Sequence, residues 1–321
     1  YIKQDVIDKY LDKVAQQGVH TDLVADSGLK VVYTPLNGTG NKPVRAILKK
    51  IGIKEVTVVP EQENPDGNFP TCPFPNPEIK EALAKGLELC KTVKPDLLLA
   101  TDPDCDRVGI AVPDPEGNYV LFSGNEVGAM LLKYICQERT ALGTMPKDPV
   151  AVKTIVTTDI CKKIAAEYNV ELREVLTGFK FIGEKIQQFQ DTGSHTFLFG
   201  FEESYGYLSS TFVRDKDGVN ASLLIAEAAC YYSTQGKTLC DVMAEIFQRY
   251  GYYLEHVEST TLPGIDGLVH ISQISNRYIR HPSEVLKVGD IVTVWVLSVD
   301  VAKKRIALTM KPPAGSQQKN A

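Results

Sequence analysis

The chain contains 321 residues, of which 43% are hydrophobic and 23% are charged, and its formal net charge is −5. This length allows two or three globular domains, and the acidic balance argues against nucleic-acid binding by the chain as a whole. The charge is uneven, because the residues from Gly264 onward carry eight basic and four acidic side chains. The C-terminal piece therefore differs in character from what precedes it.

The seven cysteines are scattered, and no pair of them has the spacing of a zinc motif. Scattered cysteines of this kind are typical of reduced thiols, so we expect a cytoplasmic protein. We find no signal peptide and no apolar stretch long enough to cross a bilayer. We therefore expect no membrane association.

Strands and helices alternate in the first part of the chain. Apolar periodicity and capping residues predict helices over 5–16, 43–51 and 78–93, and strands over 29–34, 55–60 and 96–100. The irregular segment 61–77 has a length that is usual for functional or disordered loops. The alternation predicts an α/β domain with a largely parallel sheet, which we place at residues 1–118.

An apolar run within Leu97–Val112 is interrupted by three aspartates at alternate positions, followed by Arg107. The aspartates are Asp102, Asp104 and Asp106. Crowded carboxylates repel one another unless a positive charge lies among them, and Mg²⁺ prefers oxygen ligands. The pattern predicts a Mg²⁺ site, with an acidic turn that binds nothing as the alternative. An EF-hand is excluded, because Arg107 stands where that loop requires glycine and Pro113 where it requires glutamate.

The alternation of strands and helices then repeats. Strands are predicted over 119–122, 151–156, 171–176 and 196–200, with helices over 125–137, 159–168, 219–232 and up to Gly251. We place this second α/β domain at 119–263. Alternating valines before a basic turn and a further strand predict a small β module at 264–312, and the polar tail 313–321 is predicted to be disordered.

Five short strings resemble the α-D-phosphohexomutase family, the phosphoglucomutases and phosphomannomutases. They are TPLNGTG at 34–40, DPDCDR at 102–107, TGFK at 177–180, EESYG at 202–206 and RDKDG at 214–218. Their order and spacing match the two middle domains of that four-domain family over residues 1–263. The resemblance implies two consecutive three-layer α/β domains and the interconversion of hexose 1-phosphate and hexose 6-phosphate.

The resemblance also implies roles for individual residues. It implies Mg²⁺ at the three aspartates, and positive charge or proton transfer from catalytic side chains beside the substrate. Under the resemblance, the catalytic residues are Arg107, Lys180 and Lys216. The substrate-binding residues are Glu202, Ser204 and Arg214. The alternatives are that the two lysines are ordinary solvated side chains and that Glu202 belongs to a surface turn. Asn37 stands where many relatives carry histidine, so an acid–base role there is not implied.

Two strings of the family are absent from this sequence. The phosphoryl donor of the family is the serine of a Thr-Ala-Ser-His-Asn-Pro loop, and the last domain carries an Arg-x-Ser-Gly-Thr loop that binds phosphate. Neither string occurs here. Because the covalent route needs that nucleophile, we expect negligible mutase activity from this chain alone.

The C-terminal piece resembles the latter part of the OB-fold RNA-binding module first known from ribosomal protein S-one. The strings are 266–272, 282–290 and 304–311. The resemblance implies RNA contacts at His270 and Arg305, with Trp295 as a further candidate, whereas two aromatic-bearing strands of the module are missing. A leftover β fragment is the alternative. An open barrel exposes sheet edges, so dimerisation is possible.

The two resemblances overlap on Asp266-Gly267-Leu268, a shared string that suggests a chimera. Two alternatives to a mutase-derived protein remain. One is an RNA-binding protein that acts through residues 264–312. The other is a haloacid-dehalogenase-like phosphatase, although Asp106 stands where that class has threonine or valine and Glu202 would then have no role.

Overall fold

The computed structural model describes residues 2–25, 27–255, 266–275, 281–287, 292–300 and 305–311. The chain divides into two compact units, Tyr1–Glu255 and His256–Ala321. The α-helices are α1 Gln4–Ala15, α2 Thr21–Val24, α3 Asn41–Lys50, α4 Ala84–Val93, α5 Gly124–Ala141, α6 Ile160–Glu167, α7 Phe179–Thr192, α8 Gly218–Thr234 and α9 Leu239–Tyr250. The strands are β1 Lys30–Thr34, β2 Glu55–Val58, β3 Leu97–Thr101, β4 Val108–Pro113, β5 Tyr119–Phe122, β6 Pro149–Thr154, β7 Glu171–Val175, β8 Thr196–Glu202, β9 Gly206–Leu208, β10 Asp266–Val269, β11 Trp295–Asp300 and β12 Arg305–Thr309.

The first sheet has the strand order β2-β1-β3-β4-β5. Strands β2, β1 and β3 are parallel, whereas β4 and β5 run antiparallel to their neighbours. The prediction of a largely parallel sheet therefore holds only for three of its strands. The aspartate loop and the turn after β4 are short, and short connections join antiparallel strands because a parallel pair needs a crossover.

Strand β5 belongs to the first sheet by hydrogen bonding, since Ile110 pairs with Phe122 and Pro113 pairs with Tyr119. The sequence boundary at residue 118 placed this strand at the start of the second domain. Pairing with β4 instead makes β5 the edge strand of the first sheet, directly before α5. The predicted domain limits, including the one at residue 118, stay predictions.

The second sheet has the order β7-β6-β8-β9, with β6 parallel to β7 and β8, and β9 antiparallel to β8. Sequence patterning did not predict β9, which is only three residues long. The loop between β8 and β9 is the EESYG string. A tight hairpin therefore sits at the carboxyl end of β8, where ligand contacts concentrate in α/β folds.

The core follows the pleat of the first sheet. Tyr33, Leu99 and Ile110 belong to the large cluster that α3 and α8 cover, and Leu98 and Ala111 belong to a separate cluster with α4. Successive side chains point to opposite faces of a strand, so both faces of this sheet are buried. This is the three-layer arrangement that the sequence predicted.

Helix α8 follows the second sheet in sequence, but it packs against β3, β4 and α3 of the first domain. Helix α5 packs against β8 of the second sheet, and α5 and α8 contact each other. Most residues of both helices are buried, as expected for helices without a polar face. The large hydrophobic cluster therefore runs through both α/β domains.

The described residues of the second unit form a three-stranded sheet in the order β10-β12-β11, parallel between β10 and β12 and antiparallel between β11 and β12. The predicted disordered tail 313–321 and the junction before residue 266 lie outside the described residues. No helix within the described ranges is both long and apolar enough to span a membrane.

Candidate functional site

The aspartate loop connects β3 to β4 and turns its three carboxylates toward one point. Asp102 Oδ1 accepts hydrogen bonds from the backbone N–H groups of Asp106 and Arg107, each at 3.0 Å. Cys105 has a positive φ of 61°, which closes the turn. One carboxylate oxygen from each of the three aspartates lies within 4.8 Å of the others. A single cation could therefore take an oxygen from each of them.

This cluster concentrates negative charge. Asp102 is only 8% exposed. Burial, together with the charges of Asp106 and Asp104, raises the pKa of Asp102 to about 7, although the backbone hydrogen bond from Arg107 opposes the rise. The donor set, three carboxylates of which one is buried, fits a hard divalent cation such as Mg²⁺.

Two cationic side chains border the cluster. Lys216 Nζ lies 2.9 Å from Asp106 Oδ2 and 3.1 Å from Asp215 Oδ1. Burial lowers the pKa of Lys216, but the hydrogen bonds and charges of Asp106 and Asp215 together outweigh it, and the net pKa is raised. Arg107 Nε lies 3.8 Å from Asp102 Oδ2 and from Asp106 Oδ1, while Arg107 Nη1 donates to Glu78 Oε1 at 2.9 Å. Two of the predicted catalytic residues, Lys216 and Arg107, thus lie beside Asp102 and Asp106, two of the three predicted metal ligands.

The TPLNGTG string packs against the aspartate loop at Pro103. Thr39 donates to the carbonyl of Pro103 from its backbone N–H at 2.8 Å and from its hydroxyl at 3.1 Å. A Cβ at Gly38 would lie 2.4 Å from Pro103 Cα, so only glycine fits there. The Asn37 amide donates to the carbonyl of Asn64 at 2.8 Å. This string therefore has a structural role at the site.

The EESYG hairpin reaches the aspartate loop directly. The N–H of Val108 donates to the carbonyl of Tyr205 at 3.0 Å, and Arg107 forms an isolated bridge with Gly206. Glu202 is buried at the end of β8 and accepts from the N–H of Gly178 at 2.8 Å. Burial raises the pKa of Glu202. The EESYG hairpin thus contacts the aspartate loop through backbone atoms and the TGFK string through the Glu202 carboxylate.

Glu203 and Ser204, which follow Glu202 in the hairpin, differ in their contacts. Ser204 is half-buried. Glu203 accepts from Thr154 and Thr157 at 3.0 and 3.1 Å, which fastens the hairpin to the end of β6. Glu203 therefore supports the hairpin from the protein side, and Glu202 is the better placed of the two to meet a ligand.

Two predicted site residues are not brought into this cluster. Lys180 is exposed, and its Nζ lies 5.1 Å from the centre of the Phe181 ring. Arg214 donates to the carbonyls of Thr211 and Val213 and to the amide oxygens of Gln187 and Gln190 on α7. Their roles at the substrate stay predictions.

Sequence reasoning missed Tyr10 and Asp217. Tyr10 donates to both carboxylate oxygens of Asp217, at 2.8 and 2.9 Å, and Asp217 caps α8 by accepting from Val219 and Asn220. This fixes the residue next to Lys216. Aspartate before a helix is a recognisable capping signal, whereas nothing local to Tyr10 reveals a partner 207 positions away.

In the second unit the three RNA-contact candidates fall into two groups. Trp295 pairs with Thr309 on β12, and Val269, the residue before His270, pairs with the adjacent Leu308. Trp295 and His270 therefore lie at the same end of the sheet. Arg305 begins β12 and lies about 13 Å away at the other end, four residues along the strand at ~3.3 Å each.

Comparison with known families decides the classification. Residues 8–117 match phosphoglucomutase/phosphomannomutase alpha/beta/alpha domain II, and residues 123–250 match alpha/beta/alpha domain III of the same family. The chain belongs to the phosphoglucomutase/phosphomannomutase family. In this phosphohexomutase-family chain, residues 259–311 then match the S1 RNA binding domain. The predicted resemblance and fold class are confirmed.

The chain matches only part of the length of each of its phosphoglucomutase relatives. The phosphoglucomutase of Staphylococcus aureus strain MRSA252 is 37% identical over 290 residues, which is 89% of this chain and 51% of the relative. A Thermus thermophilus crystal structure, provisionally assigned as a phosphomannomutase, matches 77% of this chain and 51% of its own with a TM-score of 0.61 and 25% identity. The open form of Paramecium parafusin, covering 78% of this chain and 42% of its own, shares the fold at a TM-score of 0.56 and 19% identity. The chain thus spans about half the length of the curated relatives it matches.

Proposed function

We propose that the α/β unit of this chain binds Mg²⁺ at Asp102, Asp104 and Asp106 and a hexose phosphate beside it. The observation that carries the proposal is the joining of three loops at one point. The carboxylate cluster, the Lys216 ammonium and the Glu202 hairpin are connected by hydrogen bonds of ordinary length. Family membership supports a sugar phosphate as the ligand.

Different side chains of the site would bind different parts of the ligand. Phosphoryl transfer depends on positioning and on neutralising oxygen charge more than on covalent work by side chains. When bound, Mg²⁺ would supply that neutralisation from the three aspartates. Lys216 and Arg107 add positive charge at the edge of the cluster, and Glu202 is an acceptor for sugar hydroxyls. Arg214 and Lys180 would have to turn toward this point to join them.

We further propose that these 321 residues interconvert hexose phosphates negligibly by themselves. The support is the absence of a Thr-Ala-Ser-His-Asn-Pro string from the sequence. A coupled assay with glucose 1-phosphate and a bisphosphate activator tests this, and ordinary turnover would overturn it.

Calorimetry tests the binding proposal. Mg²⁺ is titrated into the chain, and glucose 1-phosphate or mannose 1-phosphate is then titrated into the loaded protein. We compare Asp104→Asn, which removes an exposed carboxylate of the cluster, with Asp22→Asn, an exposed carboxylate outside it. Asp104→Asn is expected to weaken Mg²⁺ binding about tenfold or more, since a ligand charge is lost, and Asp22→Asn is expected to leave it unchanged.

Three results are informative. Loss of Mg²⁺ binding in Asp104→Asn alone supports the metal site. Equal affinity in both variants places the cation elsewhere. Mg²⁺ binding without any sugar-phosphate binding removes the hexose phosphate from the proposal and leaves the metal site standing.

A second function is favoured by the match of residues 259–311 to the S1 RNA binding domain. We propose that this unit binds single-stranded RNA, with His270 and Trp295 on its contact end. Binding of a labelled single-stranded RNA should weaken with salt, because phosphate contacts release counterions. A chain ending at residue 263 should lose the binding, and retention would contradict the proposal. Dimerisation through sheet edges stays a prediction, and family membership leaves the dehalogenase-like alternative without support.

A further inference from the structure

A cavity of about 360 Å³ lies at the end of the second sheet opposite the candidate site. Thr196, the first residue of β8, lines it, whereas Glu202 is the last residue of that strand. At ~3.3 Å per residue the two ends of β8 are about 20 Å apart. The cavity is therefore separate from the aspartate loop, and its volume falls within the range of small-molecule sites.

Within the described part of the chain, the charged side chains that line the cavity are all basic. Lys13, at the end of α1, and Arg139, in the last turn of α5, both line it, and no aspartate or glutamate does so among the residues that the structure describes. Threonine hydroxyls from Thr144, Thr196 and Thr211 share the wall. Two cations surrounded by hydroxyl donors and without a carboxylate are suited to an anion.

Arg139 has no acceptor for its guanidinium within the described ranges of the chain. Its Nε is buried and makes no hydrogen bond there. Burial lowers the pKa of Arg139, and the charge of Glu227 opposes that shift. A buried donor without a partner costs free energy, so its retention calls for an explanation.

Two alternative roles do not account for this arrangement. Basic residues in the last turn of a helix stabilise its dipole, and both Lys13 and Arg139 hold that position. A helix-end role is met by an exposed side chain and does not require a buried, unpartnered Nε. The second alternative is that Arg139 is the counter-ion of Glu227. Glu227 forms no ion pair or hydrogen bond with Arg139 among the described residues: its Oε1 accepts from Val19, His20 and Tyr134 at 2.6–2.9 Å, and its Oε2 is buried without a hydrogen-bond partner.

We propose that this cavity is a second ligand site, separate from the metal loop, that binds a small phosphate-bearing anion through Arg139 and Lys13. The guanidinium supplies the directional hydrogen bonds, the ammonium adds charge at the mouth, and the threonine hydroxyls complete the contacts. Phe212 lines the same cavity and offers an apolar surface to the organic part of a phosphate monoester.

The test is calorimetry on the full chain with EDTA present, so that no divalent cation occupies the aspartate loop. Inorganic phosphate is one titrant and glucose 6-phosphate is the other. Arg139→Gln is the main variant. Its matched control is Arg173→Gln, since Arg173 is an exposed arginine paired with Glu171 at 2.5 Å. Arg107→Gln reports binding at the candidate metal site.

We expect Arg139→Gln to weaken binding about tenfold or more, as loss of a charge-assisted hydrogen bond does, with Arg173→Gln unchanged. Lys13→Gln should weaken it by a smaller factor, and because Lys13 is exposed this variant keeps the proposal testable if Arg139→Gln fails to fold. Hydrogen exchange should slow in 139–146 and 196–212 on binding. Tighter binding of glucose 6-phosphate than of phosphate identifies a monoester ligand, and equal binding identifies free phosphate.

Other results would overturn the proposal. Absence of binding for both titrants in the unmodified chain removes the site. Binding that Arg107→Gln abolishes and Arg139→Gln preserves would place the anion at the aspartate loop instead.

Discussion

Gly218, at the start of α8, lies in close contact with the aspartate loop. Its N–H donates to the carbonyl of Cys105 at 2.9 Å, and a Cβ on Gly218 would lie 2.5 Å from that oxygen. The oxygen belongs to the backbone and cannot rotate away as a flexible side chain would. Substitution with alanine must therefore move either the start of α8 or the loop that carries the three aspartates.

The cost follows from these contacts. Inserting a methyl group into a packed site costs about 1–3 kcal/mol, and the hydrogen bond to Cys105 adds about 1 kcal/mol when it is lost. For a folded unit of this size, each kcal/mol lowers the melting temperature by roughly 2–4 °C. Gly218→Ala should therefore lower the melting temperature by about 4–16 °C.

The assay is thermal unfolding of the full chain followed by near-ultraviolet circular dichroism. Gly67→Ala is the matched control, because nothing among the described residues lies within 4 Å of the position its Cβ would take. That control should stay within about 0.5 kcal/mol of the unmodified chain, as surface substitutions do. A melting temperature for Gly218→Ala equal to that of Gly67→Ala would refute the close approach on which the reasoning rests.

Three further predictions concern the α/β unit. Leu99→Ala, at a fully buried position of β3, should lower the free energy of unfolding in urea by about 2–5 kcal/mol. Ser123→Ala removes the capping box of α5 and should cost about 0.5–2 kcal/mol in the same assay. Burial raises the pKa of Glu227 above its unfolded value, so the folded state binds more protons between the two pKa values. Stability should therefore fall as the pH rises from about 4.3 through the folded pKa of this group, and Glu227→Gln should flatten that part of the stability curve.

Each of these predictions has a contrary outcome. A cost below about 1 kcal/mol for Leu99→Ala would mean that the surrounding core collapses into the space. An unchanged midpoint for Ser123→Ala would show that the cap is dispensable. Parallel stability curves for Glu227→Gln and the unmodified chain would show that Glu227 does not titrate between the folded and unfolded states.

Local pattern was sufficient for most elements of the fold. The apolar runs on either side of the aspartates became β3 and β4, which are buried at nearly every position. Such runs predict strands because a strand covered on both faces cannot alternate with polar residues. The three aspartates met at one point because they share a single tight loop, so sequence spacing alone fixed their proximity.

Other features depend on contacts that local sequence does not contain. Strand β9 is too short to show a period, and β5 could be assigned to its sheet only from pairing with β4. Lys216 reaches Asp106 because a whole domain folds between them, whereas Arg214, two residues earlier, turns to α7. Side-chain direction at that scale is set by packing, and the motif carried no information about it.

The position of α8 has a consequence for how the chain is made. The first sheet is complete once Phe122 has been synthesised, but the helix that covers β3 and β4 ends at Thr234. At about 5–20 residues per second, translation of the intervening stretch takes roughly 6–22 s. During that time only α3, of the two helices that cover this apolar face, has been made. The finished packing of the face therefore cannot form before α8 has been synthesised, whatever the stability of the folded unit.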